Sequence, residues 1–455
     1  MLNKAEKAVL ATVTYSAQFD HPLHFSEIYE RLLTNQGLRT VDASFSLSKT
    51  LWQSTPLARK EQLAKTLRSL VKKKILIHSH QYYALFGREQ SFARRWQAGV
   101  DQRQKKPVIL ELVSVVRRIP WIEAVAITGS HAAGGATEKD DIDFLVVTQR
   151  NRMWLARLLM LFYAWKMGHR LPLPDGDMSH SWDLNFWLDE TRLALPPPKQ
   201  TVYEAYEILQ MRWVFNRYHA RQRFLLVNPW VGKLLVSWSM PKNQRLSYQF
   251  KKFDLLAVGN WLAFMIEIGY RTLRHGRQRA DLHSAFFHPS NTRQHLFSAW
   301  KSLYWRSLGK KIVLVTGVFD VLHQEHQNFL KAAKKVGDVL IVGLESDQRV
   351  RTIKGPARPV NNQLTRLANV KQWRLADEVF VLPENFGDSV VREQLIGQFR
   401  PHILAVSSHS PHLAEKRRVL KKFGGMVKVV YQHRKGVSST RLIKQKIEGD
   451  TLSVS

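Results

Sequence analysis

The sequence TGVFDVLHQEH, residues 316–326, decides the fold of the C-terminal part of the chain. It follows KIVLV, residues 311–315, an apolar run typical of a strand buried on both faces. His323 and His326 come next, three positions apart at the expected start of a helix, so both side chains lie on one face. Imidazole N–H groups and a positive helix N-terminus together suit an anion. A metal-binding pair or two surface histidines are the alternatives, and the preceding strand and glycine turn argue against them.

Further strands are expected on the C-terminal side of this motif, with helices between them. The apolar runs that predict them are residues 338–344, 378–382, 403–406 and 427–431. Alternating strands and helices indicate a doubly wound parallel sheet of the Rossmann-like kind. Ligands of such sheets bind at the carboxyl ends of the strands, where the two histidines are expected.

This region resembles the cytidylyltransferase-like nucleotidyltransferases, whose motif is Gly-x-Phe-Asp-x-x-His-x-Gly-His. It is closest to heptose-1-phosphate adenylyltransferases and glycerol-3-phosphate cytidylyltransferases. The resemblance implies that His323 and His326 are catalytic and stabilise the reacting α-phosphate and the leaving pyrophosphate. Lys354 opens a Lys-Gly…Arg-Pro-Val phrase similar to that of the heptose enzymes, which implies a contact with phosphate. The nucleotide-binding residues implied in the same way are Thr316, Gly317, Phe319, Asp320, Arg366, Ser438, Ser439 and Thr440.

Three departures from the family pattern leave questions open. Glu325 replaces the motif glycine, and its carboxylate is expected beside the triphosphate, where it would either repel the nucleotide or hold magnesium. His433 stands where an arginine is usual. The sequence AVSSHSPH, residues 405–412, replaces the glycine-rich phrase of the heptose enzymes, so the acceptor stays open.

A second motif lies in the middle of the chain. The apolar strand VAIT, residues 125–128, is followed by a small-residue turn and then by DDIDFLVV, residues 140–147. Residues two apart on a strand point the same way, so Asp141 and Asp143 are expected to project together. Adjacent carboxylates repel unless a cation lies between them, which predicts a Mg²⁺ site.

The middle motif resembles the DNA-polymerase-β-type minimal nucleotidyltransferases, which have an α+β fold. The resemblance implies that Gly129 and Ser130 hold the triphosphate and that the two aspartates bind Mg²⁺. A third ligand is expected on the strand of residues 182–189, where Asp183 fits the pattern better than Asp189. Such domains either catalyse transfer or only bind nucleotide, and the sequence leaves both possibilities open.

The N-terminal segment is predicted to form helices followed by a hairpin at residues 75–85, which resembles a winged helix. Its basic residues suit DNA, although such modules also dock proteins. The segment 201–306 is expected to be helical, basic and rich in aromatic residues, which serve either to stack on bases or to fill a core. Nucleic acid is therefore a possible partner of both segments.

The composition limits the kinds of partner and of chemistry. The chain has 455 residues, 69 Lys+Arg against 37 Asp+Glu, a net charge of +32 and no cysteine. Thiol chemistry and disulfides are excluded. Such a charge attracts nucleotides, nucleic acid or anionic membrane, or it is simply a solvated basic surface. The apolar stretches 153–168 and 255–270 are shorter than a membrane span and contain charges, so we expect buried helices, no integral membrane insertion and a cytoplasmic location.

We therefore expect an α/β multidomain protein of four parts. These are a winged-helix-like module at 1–100, a polymerase-β-type domain at 107–200, a helical basic extension at 201–306 and a cytidylyltransferase-like domain at 310–448. The expected reaction joins ATP or CTP to a sugar- or polyol-phosphate with release of pyrophosphate and needs Mg²⁺. The alternatives are nucleotide addition to nucleic acid by the middle domain, or a nucleotide-sensing DNA-binding regulator.

Overall fold

The structure is a computed structural model that describes residues 2–46, 51–137, 140–169, 180–239, 255–275, 280–287 and 292–432. The chain divides into two compact units. One comprises residues 3–13 and 20–288, and the other comprises residues 1–2, 14–19 and 289–455. The division into four parts expected from the sequence stays a prediction.

The N-terminal part combines short helices with a small antiparallel sheet of strand order β1-β3-β2. Thr55 caps α4 by accepting a hydrogen bond from the amide of Ala58, and Pro56 occupies the first turn, where proline is tolerated. The winged-helix assignment stays a prediction. The elements are α1 (Lys4–Ala17), β1 (Leu23–His24), α2 (Phe25–Glu30), α3 (Asn35–Leu38), α4 (Pro56–Lys72), β2 (Leu76–Ser79), β3 (Tyr82–Leu85), α5 (Gln90–Gln104) and α6 (Lys106–Arg118).

The middle part is built on a mixed five-stranded sheet of order β7-β4-β5-β6-β8, in which β5 and β6 run parallel and the other pairs are antiparallel. Every residue of β4 is buried. The elements are β4 (Ile122–Ile127), α7 (Gly129–Ala133), β5 (Ile142–Thr148), α8 (Met153–Lys166), β6 (Trp182–Asp189), α9 (Val202–Gln210), β7 (Arg212–Asn216), α10 (Ala220–Leu226), α11 (Val231–Leu234), α12 (Leu255–His275) and β8 (Ser284–Phe286), with a 3₁₀ turn at Pro197–Lys199.

Two strands of this sheet lie in the segment that the sequence indicated to be helical. β7 pairs with β4 on one edge, and β8 pairs with β6 on the other. Both are short, and β8 has only three residues, so no alternating pattern is long enough to predict them. The middle sheet therefore takes strands from well beyond residue 200.

Helices α8 and α12 are present as expected, but the expectation that they are buried is wrong for one face of each. Phe162 and Trp165 of α8, and Trp261 and Ile266 of α12, are exposed. The reason is that both helices are apolar on two sides, so one side packs in the core, where Met160 and Ala263 are buried, and the other faces outward. None of the described helices is long and apolar enough to cross a membrane.

The C-terminal part has the predicted doubly wound architecture, because all five of its strands are parallel in the order β11-β10-β9-β12-β13. The elements are α13 (Thr292–Ser307), β9 (Ile312–Gly317), α14 (Gln324–Lys334), β10 (Val339–Leu344), α15 (Asp347–Lys354), α16 (Gln363–Gln372), β11 (Glu378–Val381), α17 (Ser389–Phe399), β12 (Ile403–Ser407), α18 (Leu413–Lys422) and β13 (Met426–Tyr431).

The central strand β9 has a core on each side. Ile312 and Leu314 pack in one cluster, and Val313 and Val315 pack in the other. This explains the continuous apolar run of residues 312–315, since successive side chains enter opposite cores. Helix α13 was expected in the helical extension, but it packs on this sheet, and its Ser298 donates a hydrogen bond to Glu378 of β11 over 2.8 Å.

Candidate functional site

The two motif histidines lie at the carboxyl end of β9. His323 is the N-cap residue of α14, with extended backbone angles, and His326 lies in the first turn of that helix. Their ring centroids are 3.9 Å apart. Gly317 leaves room for the Phe319 ring, since a Cβ at residue 317 would lie 2.8 Å from that ring. The predicted pairing of the histidines at a helix start is therefore present.

Glu325 does not lie open to a ligand. Its side chain is buried, and it accepts a hydrogen bond of 2.7 Å from the hydroxyl of Tyr431 at the end of β13. The carboxylate that replaces the motif glycine is thus held against a neighbouring strand. Neither of the roles expected from the sequence, repelling the triphosphate or holding magnesium, follows from this position.

Asp320 shapes the loop that follows α15. It is buried and accepts hydrogen bonds from the backbone amides of Val360, over 3.0 Å, and Asn361, over 2.9 Å. Its carboxylate also pairs with Arg358 at 2.9 Å. Lys354 lies at the start of this loop, where desolvation, and then the charge of Arg358, lower its pKa. Asp320 therefore holds this loop in place, and its contact with a nucleotide stays a prediction.

Arg366 is fully buried, and its guanidinium donates to several groups of the protein. These are the backbone oxygens of Asn361, Val318 and Glu345 and the carboxylate of Asp347. The side chain ties the ends of β9 and β10 together. Its position is that of a clamp that orders the strand ends beneath the site. The remaining predicted nucleotide contacts, Ser438, Ser439 and Thr440, lie outside the described residues, as does His433.

A cavity of about 340 Å³ opens beside the strand ends. Thr316 of β9, a predicted site residue, lines it together with Leu404 of β12. Apolar side chains form much of the wall, and five charged groups also line it. The charged groups are Glu345, Arg349, Arg392, Glu415 and Lys416.

Three charged groups of this cavity are held by neighbours, and the other two, Glu345 and Arg349, each have a buried polar atom without a hydrogen-bond partner among the described residues. Arg392 pairs with Glu415 at 2.7 Å, and Lys416 donates to the hydroxyl of Ser410 over 2.7 Å. One carboxylate oxygen of Glu345 is buried without a hydrogen-bond partner among the described residues. Burial raises the pKa of Glu345, which the charge of Arg349 opposes. Burial, followed by the charge of Arg392, lowers the pKa of Lys416.

The sequence did not single out the cavity cations. Arg349, Arg392 and Lys416 come from three different helices, and no motif spacing connects them. The available signal was Glu345, which directly follows the second strand, where ligand-binding side chains of such sheets are expected.

The middle part brings together the three predicted carboxylates. Oxygen atoms of Asp141, Asp143 and Asp183 all lie within 4.8 Å of one another. Burial, and then the charges of Asp183 and Asp141, raise the pKa of Asp143 to about 8. Burial, and then the charge of Asp141, raise the pKa of Asp183 to about 7. Crowded acidic oxygens of this kind fit a Mg²⁺ ion, which would remove their mutual repulsion.

Asp189, the alternative third ligand, lies elsewhere. Asp183 pairs with Asp143, but Phe186 pairs with Leu145, so β6 contains one additional residue over this stretch. Such a bulge reverses the alternation, and Asp189 is buried against His283 at 2.6 Å.

The turn after β4 also holds a carboxylate that the sequence did not suggest. The amide of Gly129 donates to Glu207 of α9 over 3.3 Å, and the Glu207 charge contributes to the raised pKa of Asp143. Gly129 has a φ of 62°, and a Cβ there would lie 2.2 Å from an Asp143 oxygen, so glycine is required. Ser130 follows in α7. Glu207 comes close only through tertiary folding.

Comparisons with known proteins bear on the C-terminal part. Residues 314–445 match the family described as Cytidylyltransferase-like. The chain is 35% identical over 151 residues to the bifunctional protein HldE of Wolinella succinogenes, covering 32% of this chain and 31% of that protein. It is 34% identical over 152 residues to HldE of Desulfatibacillum aliphaticivorans, covering 33% and 29%. A lipopolysaccharide core biosynthesis protein from Thermoplasma volcanium is 29% identical, with a TM-score of 0.24, covering 28% of this chain and 100% of that one.

The chain spans about a third of the length of the curated relatives that it matches, with 31% of the first HldE protein covered. The family match includes both motif histidines and every strand of the parallel sheet except the first two residues of β9. Residues 314–445 are thus similar to the cytidylyltransferase-like family, which supports the expectation of a nucleotidyltransferase enzyme.

Proposed function

We propose that the C-terminal domain joins a nucleoside triphosphate to a sugar- or polyol-phosphate and releases pyrophosphate. The observation that carries this proposal is the pair of histidine rings, 3.9 Å apart at the start of α14, directly after the central strand of a parallel sheet. The bifunctional HldE relatives, together with the Lys354 phrase, favour ATP over CTP and a heptose-like acceptor.

In this reaction a phosphate oxygen of the acceptor attacks the α-phosphorus of the triphosphate. The bond from the α-phosphorus to the bridging oxygen breaks, and pyrophosphate leaves. The protein has little covalent work to do, so positioning and charge stabilisation dominate. His323 and His326 would donate N–H groups to the developing charge. Lys354, at the start of the loop that follows α15, would hold a phosphate.

The cavity beside the strand ends suits the acceptor. Arg349, Arg392 and Lys416 offer positive charge to its phosphate. The open carboxylate oxygen of Glu345 offers an acceptor to a sugar hydroxyl, and leaving it unpaired costs about 1–3 kcal/mol. A hydroxylated anion meets both needs better than an apolar compound does.

A second candidate function belongs to the middle part, because of the cluster of Asp141, Asp143 and Asp183. The cluster would hold Mg²⁺, which supplies positive charge for binding a triphosphate. Gly129 and Ser130 would then hold the phosphates. This function would take one of two forms, which are nucleotide addition to nucleic acid and nucleotide sensing by a DNA-binding regulator.

The deciding experiment measures pyrophosphate release by the full chain with Mg²⁺, each nucleoside triphosphate and a panel of phosphorylated heptoses, hexoses and polyols. His323→Ala and Asp141→Ala variants are assayed in parallel. The proposal expects release with one acceptor class, lost in His323→Ala and retained in Asp141→Ala.

Loss only in Asp141→Ala would move the reaction to the middle part. Nucleotide binding without release from any acceptor would reject small-molecule transfer and favour the sensing alternative. If release instead required an oligonucleotide and fell steeply with salt, the nucleic-acid-directed enzyme would be favoured.

A further inference from the structure

The outward faces of α8 and α12 form an exposed apolar surface. Six of its side chains are Phe162, Trp165, Trp261, Leu262, Ile266 and Tyr270, and we call this set the α8–α12 apolar face. Ile266 is 68% exposed and Trp165 is 63% exposed. Large apolar side chains are rarely this exposed in a group, and such patches mark sites of association.

Both helices are apolar on their outer as well as their inner faces, since Met160 of α8 and Ala263 of α12 lie in the hydrophobic core. The inner face of α12 carries Asn260 and Glu267, which are buried. Asn260 accepts a hydrogen bond of 2.8 Å from the amide of Trp154, and Glu267 pairs with buried Arg157 at 2.7 Å. A surface helix normally buries its apolar face and exposes its polar one. The apolar exterior of α8 and α12 departs from this pattern and marks a candidate contact surface.

The exposed rows of the two helices belong to one surface, because the helices pack side by side. The Trp154 and Phe264 rings are 5.1 Å apart. Gly259 lies against Leu155, where an added Cβ would be 3.7 Å from the leucine side chain. The Asn260 and Glu267 contacts join the same two helices along their inner sides. The surface is thus two helices wide.

Charge indicates which apolar environment this surface meets. Glu267 is the one acid of α8 and α12, and it is buried, so their exposed face carries no negative charge. Lys166 is exposed at the end of α8. The whole chain carries +32. Two such chains repel one another, which opposes burial of this face against a second copy, whereas an anionic surface attracts it.

The residue types also suit a lipid interface. Tryptophan and tyrosine favour the boundary between lipid head groups and acyl chains, and Trp165, Trp261 and Tyr270 lie on the exposed face. Helices that expose one apolar face bind to the surface layer of a bilayer. We propose that the α8–α12 apolar face docks the protein on an anionic lipid bilayer.

The test uses the full chain and sedimentation with vesicles of phosphatidylcholine alone or of phosphatidylcholine mixed with phosphatidylglycerol. We expect partition to be at least about tenfold stronger with the anionic lipid and to weaken with salt. An Ile266→Glu variant should lose about tenfold or more, because a charge enters the apolar contact. Leu364→Glu is the matched control, since Leu364 is 64% exposed on the C-terminal unit, and it should bind normally.

A second measurement does not depend on how the Ile266→Glu variant folds. Tryptophan fluorescence of the unmodified protein should be quenched by vesicles that contain brominated lipid, and the quenching should fall when Trp165 and Trp261 are replaced by phenylalanine. Absence of vesicle binding, or equal binding by Ile266→Glu and Leu364→Glu, would overturn the proposal. So would a dimer that Ile266→Glu dissociates while no vesicles are bound, because a second copy would then cover the face.

Discussion

The chain contains two candidate sites for triphosphate chemistry, and their charges are opposite. The C-terminal site presents His323 and His326 at a helix start, with cations in the neighbouring cavity. The middle site presents Asp141, Asp143 and Asp183 within 4.8 Å of one another. The first can receive an anion directly, whereas the second must take up a cation before it can hold a triphosphate.

The burial of charged groups sharpens this contrast. Burial and crowding raise the pKa of Asp143 to about 8, so the middle cluster holds protons near neutral pH when no cation is bound. In the C-terminal site burial lowers the pKa of Lys416 and of Lys354, which brings both ammonium groups nearer to losing a proton. A bound anion should favour the protonated, charged form of the two lysines in the C-terminal site. A bound cation should favour the ionised form of the aspartates in the middle site.

The largest effect should come from the histidines. We expect His323→Ala and His326→Ala each to lower kcat/KM about 10²- to 10³-fold, because each removes a donor to the transition-state charge. The double variant should be little worse than either single one, since rings 3.9 Å apart act on the same charge. Steady-state pyrophosphate release measures this. Fully multiplicative losses would mean that the two histidines act on separate groups.

The next effect concerns cation binding by the middle site. We expect Mn²⁺ affinity to rise about tenfold or more between pH 6 and pH 8.5, as protons leave Asp143 and Asp183. Calorimetric titration of the full chain at several pH values measures this. Asp143→Asn should abolish the binding, while His323→Ala should leave it unchanged. A flat pH profile would contradict a site whose carboxylates must lose protons first.

The same cluster predicts how stability changes with pH in the absence of metal. The pKa values of Asp143 and Asp183 in the folded protein, about 8 and about 7, lie above the usual 3.8, so the folded protein binds more protons than the unfolded chain. Stability should therefore fall as pH rises from about 4 to about 8. Thermal unfolding in a chelator measures this, and Asp143→Asn should reduce the fall. An unchanged slope in that variant would contradict the prediction.

A smaller effect is expected in the acceptor cavity. Lys416→Ala should raise KM for the phosphorylated acceptor about 10- to 30-fold with little change in kcat, because it removes a charged contact worth about 1.5–2 kcal/mol. Arg417→Ala, an exposed position on the same helix, is the control and should behave like the unmodified protein. A fall in kcat without a change in KM would place Lys416 at the reacting atoms instead.

The smallest effect should follow loss of the bond between Tyr431 and Glu325. Tyr431→Phe removes a hydrogen bond worth about 1 kcal/mol, and we expect the unfolding midpoint of the C-terminal unit to fall by about 2–4 °C. Glu325→Gln keeps an acceptor for the hydroxyl and should lose less. Activity should change little in either variant. A large loss of activity in Glu325→Gln alone would return this carboxylate to the nucleotide site.

Sequence patterns predicted the structure where a single motif, or the repeat of a single strand or helix, contained the necessary information. The run at residues 311–315 predicted a strand buried on both faces, and the structure has one between two cores. Sequence patterns predicted less where the structure of a segment depends on the strand that it pairs with. A bulge in β6 separates Asp183 from Asp189, and alternation alone places them on the same face. Strands β7 and β8 are too short to predict without the strands that they pair with.

By itself the sequence determined the parallel C-terminal sheet, the histidine pair and the aspartates at the middle turn. These depend on spacing along one element, which the backbone period alone converts into a shared face. Only the tertiary structure decided that Glu325 turns to Tyr431, that Arg366 is a clamp and that the cations of three helices surround one cavity. It also decided that α8 and α12 expose their apolar faces, because a helix period indicates which residues lie together but not which side faces the core.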